Sequence, residues 1–294
     1  MARVLPSSAA EHYATQQRLQ LATIGLVRRE WATMGTEFDA SWAKIGPRIT
    51  LLTASAQLGA AKNGAAYVPR VLAELGQSVD PMGEVDPRGF AGIASDGRPL
   101  DSLLYSAVTT AKTASSTMPP QEALAAGGKW LDMAVQTMVA DAARGAAGVS
   151  IAARPGIGFV RMVNSPSCSR CAVLAGKFFK WNQGFKRHPH CDCTHVATGE
   201  VGARGLTADP QPDQITGLSK AERKALDDGA DLGQVVNAKR GASGMTTTEG
   251  TTKRGLAGQR LGKGRQRLTP DGIYRIASDR TEAMTLLKAH GYLL

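Results

Sequence analysis

Cysteine is missing from the first 167 residues of this 294-residue chain and again from everything after Cys193. All four, Cys168, Cys171, Cys191 and Cys193, fall in one short window, which excludes a disulfide framework spread over the fold. Aromatic residues are also scarce, at 5%. No run of 18 apolar residues occurs, so no helix is expected to span a membrane. The opening stretch MARVLPSSAAEHYATQQRLQ lacks the apolar centre of a secretory signal. The expectation is a protein working where it is made, in a reducing cytoplasm, where four clustered cysteines suit a metal better than disulfides. There is no GxSxG and no partnered Ser/His/Asp arrangement to suggest a hydrolase, so no catalytic residue is assigned and the chain is not read as an enzyme.

What the chain does contain is alanine and glycine in abundance and a net charge of +10. That charge favours polyanionic neighbours such as nucleic acid and is silent about fold. The expected class is α+β. Residues 1–150 read as a mainly helical half, opening with Ser7 or Ser8 as N-cap and an apolar stripe at Leu19, Ala22, Ile24, Leu26, Val27, Trp31 and Met34. Helices follow over Phe38–Ile45, Ile49–Ala61 and Val68–Leu75, the first of these punctuated by Pro47. The turn-rich segment 76–99 is a loop; helices resume at Leu100 and after Pro119-Pro120, where Trp130, Met133 and Met138 belong to core packing.

Residues 151–200 form a small α+β module. Alternation at Ile157, Phe159, Arg161 and Val163 predicts a strand, AVLAGK a helical turn, Asn182-Gln183-Gly184 a hairpin turn, and CDCTHVAT a second strand. Residues 201–238 are a linker and short helix pair, with a capping box from Ser219 to Glu222 and a glycine stop at Gly229. Residues 239–268 carry Lys239, Arg240, Lys253, Arg254, Arg260, Lys263, Arg265 and Arg267 against a single acid, Glu249. That composition predicts a solvated basic arm able to lie against DNA. Residues 269–294 close the chain as a helix pair, capped by Thr269-Pro270 and by Ser278 or Asp279 with Glu282, whose apolar end docks.

The cysteine window has metal-ligand spacing. Cys168-x-x-Cys171 aims two sulfurs at one point, and the second pair comes from His188, Cys191 and Cys193. His188-x-x-Cys191 repeats the two-residue gap, whereas Cys193 shares a strand face with Cys191. His190 and His195 are weaker candidates. With Asp192 the only carboxylate in the window, a closed structural zinc fits better than a catalytic one. Phe178, Phe179, Trp181 and Phe185 would form the small core that the zinc staples; stacking on single-stranded nucleic acid is the other use of aromatics beside Lys177, Lys180, Lys186 and Arg187.

The stretch SCSRCAVLAGKFFKWNQGFKRHPHCDCTHV resembles the cysteine-histidine segment of MuF-like minor capsid (head morphogenesis) proteins of tailed actinobacterial phages. The match lies in the CxxC, the Leu-Ala-Gly step, the aromatic hairpin and the RHPxCDC ending, and it extends to the tail from LSKAERKALDDGADLGQVVNAKRG onward. The resemblance implies a minor virion component inside the head near the portal, taking part in head assembly and in handling or delivering packaged double-stranded DNA. Residues 1–150 would then dock on the portal or major capsid protein. Two other readings stand beside it: a zinc-dependent nucleic-acid-binding protein, and an HNH-like nuclease built on His190, Asp192 and His195.

Overall fold

The computed structural model describes residues 6–163, 167–183, 193–206, 212–230 and 270–294, together with positions 232 and 235. It is α+β, with a mostly helical N-terminal half, small sheets and short C-terminal helices. The helical half contains α1 (Ser7–Trp31), α2 (Phe38–Glu74), α3 (Leu100–Leu104), α4 (Ser106–Ala114) and α5 (Pro120–Ala152).

The three helices expected between residues 38 and 75 are one. α2 runs through both Pro47 and Pro69, over ~55 Å. An interior proline costs a helix about 3 kcal/mol, because it removes a donor and crowds the preceding turn. Here Ile45, Ile49, Thr53, Ala56, Ala60, Gly64, Val68 and Val71 bury one continuous stripe across both prolines. Burial of that stripe outweighs the local penalty. α2 lies against α5, and glycine sets the approach: a Cβ on Gly64 would sit 2.3 Å from the carbonyl oxygen of Ala143.

α1 also departs from expectation. Its buried side chains include His12, Gln16, Gln20 and Thr23 as well as Val27 and Trp31, whereas Leu26 of the expected apolar stripe is 40% exposed. The polar stripe faces inward and part of the apolar one faces out. Nor do Ser7 and Ser8 cap the helix with their own side chains; Pro6 is the N-cap residue. The carboxylate of Glu74, at the far end of α2, accepts hydrogen bonds from the Ser7 and Ser8 backbone N–H groups at 2.6 and 2.9 Å and from both hydroxyls. An anion at a helix N-terminus satisfies orphan donors and the helix dipole together. In α5, Leu131, Val135, Met138 and Val139 are core, as expected, with Leu124 and Trp130 packed half-buried against it.

The second half is built on a three-stranded antiparallel sheet of order β3–β1–β4: β1 (Ile157–Val163), β3 (Phe178–Phe179) and β4 (Cys193–Gly199). β2 (Ser167–Cys168) and α6 (Ser169–Leu174) lie between β1 and β3 in sequence. α7 (Glu200–Ala203) follows β4. Part of the expected linker turns back here: β5 (Ile215–Thr216) pairs in parallel with β2, and α8 (Lys220–Asp227) carries the Ser219–Glu222 capping box.

The aromatics of the module do not make a core of their own. Phe178, Phe179 and Trp181 pack against a cluster shared by Tyr67, Val68 and Val71 of α2, Ile151 of α5 and Phe159, Val160 and Val196 of the sheet. Phe185 lies outside the described residues. Gln77, just past α2, accepts from Gly199 N at 2.7 Å and from Thr198 Oγ1 at 3.1 Å, holding the end of β4 to the helices.

α9 (Pro270–Ile276) and α10 (Arg280–Ala289) close the chain. Asp279 caps α10 by accepting from Glu282 N, and Glu282 accepts from Ser278. The apolar end docks as expected: Tyr292 and Leu293 are buried, Leu294 N donates to Glu84 O, and Asp86 N donates to Tyr292 O. Arg280 reaches the C-terminal end of α5, donating to Ala152 O and, at 2.8 Å, to Arg154 O. It also lies over the Trp181 ring at 4.8 Å.

Candidate functional site

The two-residue gap of Cys168-x-x-Cys171 has a local cause. Cys168 is the N-cap of α6, and its sulfur accepts a hydrogen bond from Cys171 N at 3.4 Å. An N-cap side chain reaches the N–H three positions on, so a helix starting at Ser169 puts Cys171 where the cap already points. The pairing of β2 with β5 fixes the entry to this turn, and Gly176, at φ +70°, turns the chain back towards β3.

Cys193 begins β4 opposite Val163. Cys171 and Cys193 are buried and pack as one cluster with half-buried Cys168 against it. Two chain segments more than twenty residues apart thus bring three sulfurs together, and all three are thiols rather than half-cystines. Among the described residues, no group of three His, Cys, Asp or Glu side chains has metal-holding geometry. His188 and Cys191, the other two proposed ligands, lie outside the described residues, as do His190, Asp192 and the basic residues Lys239, Arg240, Lys253, Arg254, Arg260, Lys263, Arg265 and Arg267.

Register places Arg161 of β1 directly opposite His195 of β4, and Phe159 opposite Ala197. Alternation along a strand gives Phe159, Arg161, Cys193 and His195 one face of the sheet. Arg161 is only 2% exposed, and its Nη2 donates to Cys171 Sγ at 3.1 Å. The His195 ring stacks on Phe159 at 4.2 Å, and its backbone oxygen accepts from the Tyr67 hydroxyl at 3.1 Å. Burial pushes that phenol far above its ordinary range, so it stays a donor.

Tyr67 links this face to a polar stripe on α1. His12 stacks on Tyr67 at 4.3 Å and its Nδ1 meets Asn63 Oδ1, which also accepts from Gln16 Nε2 at 3.0 Å. Burial, helped slightly by the positive charges of Arg70 and Arg144, lowers the His12 pKa to about 4. The imidazole is therefore neutral near pH 7. His12, Gln16 and Gln20 line a polar cavity of about 40 Å³ with Thr137 and Arg144 of α5 and Thr194 of β4. Such a space holds about two or three water molecules. Gln16 Oε1, buried and without a hydrogen-bond partner among the described residues, needs a donor there. The cavity can hydrate a seam between helices and sheet, but its size suits no nucleotide or peptide.

Two features escape a reading based on apolar periodicity and cysteine count. His12, Gln16 and Gln20 recur every four residues, a helical period written in polar side chains. Arg161 is the one charged residue of β1, at an inward position of an otherwise apolar strand. Comparison with family models, with curated proteins and with solved structures returned no match.

Proposed function

We propose that this chain is a non-enzymatic structural component of a tailed-phage head whose cysteine module is closed by one zinc ion. The observation that carries the metal is the meeting of Cys168, Cys171 and Cys193 in one cluster, with N–H donors directed at two of the three sulfurs. Donors aimed at sulfur suit thiolates, which is the form in which cysteine binds zinc. Cys168, Cys171 and Cys193 would supply three ligands, with the fourth drawn from His188 and Cys191. Bound zinc would act as a crosslink with no open position for water. The chain's own residues set the rest: α6 presents two sulfurs, β4 presents the third, and Arg161 and Tyr67 tie their supports to the surrounding fold.

Support for the head comes from the resemblance of residues 167–196 and of the tail to MuF-like minor capsid proteins. The basic segment 239–268 would contact packaged DNA by charge alone, without reading bases. The helical half would dock on the portal or major capsid protein.

Two measurements test this reading. Elemental analysis of the purified protein should find about one zinc per chain, lost on Cys171→Ser; a protein purified zinc-free that takes up none would overturn the metal. Peptide mass spectrometry of purified phage particles should detect the chain in the virion, and its consistent absence would overturn the head assignment. Sequence-selective binding to DNA or RNA at moderate salt would favour a nucleic-acid-binding protein instead.

A further inference from the structure

We propose that Arg161 is the positioning residue of the thiolate centre, holding the Cys168–Cys171 turn in place and offsetting the charge of the loaded site. The inference rests on the zinc reading above, and goes beyond the ligands to the residue that makes a buried site of that composition stable.

Two parts of Arg161 act on the same turn. Its backbone clamps the return of the chain after Cys171: Gly176 N donates to Arg161 O at 2.8 Å, and Arg161 N donates to Lys177 O at 3.2 Å. Its side chain reaches the turn itself, with Nη2 3.1 Å from Cys171 Sγ. The central strand of the sheet therefore grips the cysteine turn at its far end and at its second sulfur.

Charge explains why the gripping residue is arginine. The guanidinium brings a delocalised positive charge to this interior position. Beside a metal-bound thiolate it is favourable, because a divalent cation with three thiolates carries a net negative charge that the guanidinium offsets. A hydrogen bond to a ligand from outside the coordination shell also fixes its orientation, and losing such a partner typically weakens metal binding about 10- to 100-fold. Lysine would keep the charge but not the planar fork, so it should substitute only in part.

The test is competition for zinc between a chromophoric chelator and the full-length protein, comparing wild type with Arg161→Leu and Arg161→Lys. Arg161→Leu should bind zinc about 10- to 100-fold more weakly, with Arg161→Lys between the two. With Co²⁺ in place of zinc, all three proteins should show the same thiolate-to-cobalt charge-transfer band once saturated, since the ligands themselves are untouched. Unchanged zinc affinity in Arg161→Leu, even with a lower melting temperature of the zinc-free protein, would reduce Arg161 to a packing residue and overturn the proposal. If Arg161→Leu does not fold, wild-type affinity in Arg161→Lys would overturn the role of the fork. Wild type that takes up neither metal would overturn the zinc reading itself, an outcome distinct from wild type that binds while Arg161 proves indifferent.

Discussion

His12 sits on α1 with its ring flat against Tyr67 and its Nδ1 committed to Asn63, and burial holds its pKa at about 4 against 6.5 when exposed. Between those values the unfolded chain binds a proton that the folded chain refuses. Stability from this group is complete above pH 6.5 and falls as pH drops towards 4, by about 3 kcal/mol in all. Glu74 acts in a different window. Its hydrogen bonds from Ser8 and Ser7 hold its pKa down to about 2, so its contribution persists above pH 4.5 and fades only as pH falls from there. The two are separable by substitution. His12→Phe keeps a ring on Tyr67 and should flatten the loss of stability between pH 6.5 and 4.5 while leaving the steeper acid limb. Urea unfolding at a series of pH values checks this; an unchanged slope above pH 4.5 would show that His12 does not cause it.

At the scale of elements, close approach of small residues sets the helical layer. α2 and α5 touch through backbone at Gly64, where an added methyl would meet the Ala143 carbonyl at 2.3 Å. Backbone cannot yield there as a flexible side chain would, so Gly64→Ala should destabilise by about 1–3 kcal/mol. Thermal denaturation followed by circular dichroism measures it, with Gly148→Ala in α5, where the space beside the glycine is open, as the control. The C-terminal pair depends on a different contact. Arg280 joins the end of α5 to Trp181, donating to Arg154 O and lying over the indole. A cation there suits the negative end of the α5 dipole. Arg280→Ala should loosen α9 and α10 by about 1–2 kcal/mol. Amide exchange should then rise in 270–294 and around Trp181, while the α2–α5 core keeps its protection.

At the scale of the whole molecule, the sheet shares a core cluster with α2 and α5 where the composition had suggested a stapled module of its own. Because Phe159, Val160 and Val196 pack with Tyr67, Val71 and Ile151, removing the proposed zinc with a chelator should leave the helical signal largely intact. Proteolysis of the zinc-free protein should instead concentrate around the Cys168–Cys171 turn; wholesale unfolding on chelation would contradict a shared core. The charge of the molecule bears on the proposed contact with DNA. Replacing Arg260, Lys263, Arg265 and Arg267 with glutamine should make the dependence of DNA affinity on salt shallower, by up to ~0.9 for each phosphate no longer neutralised. A salt titration of affinity for a mixed-sequence duplex reads that slope directly, and no change would exclude these four residues from the DNA interface.

Much of this was legible in the chain itself. The capping box at Ser219, the N-cap at Asp279, the glycine stop at Gly229, the strands at Ile157 and Cys193, and the short reach between Cys168 and Cys171 are all set by neighbours a few residues apart, and local rules suffice for them. The course of α2 through Pro47 and Pro69 was not legible. A local rule counts the missing hydrogen bond, but it cannot count the stripe that α5 covers. Nor could apolar periodicity show that α1 turns His12, Gln16 and Gln20 inward, since a polar side chain is buried only where another element supplies its partner. The amino-acid sequence by itself determined which residues could bind and turn; tertiary structure decided which of them meet. It set Arg161 beside Cys171, Glu74 at the start of α1, and Tyr67 against His195, because contacts between residues far apart in sequence depend on how whole elements pack.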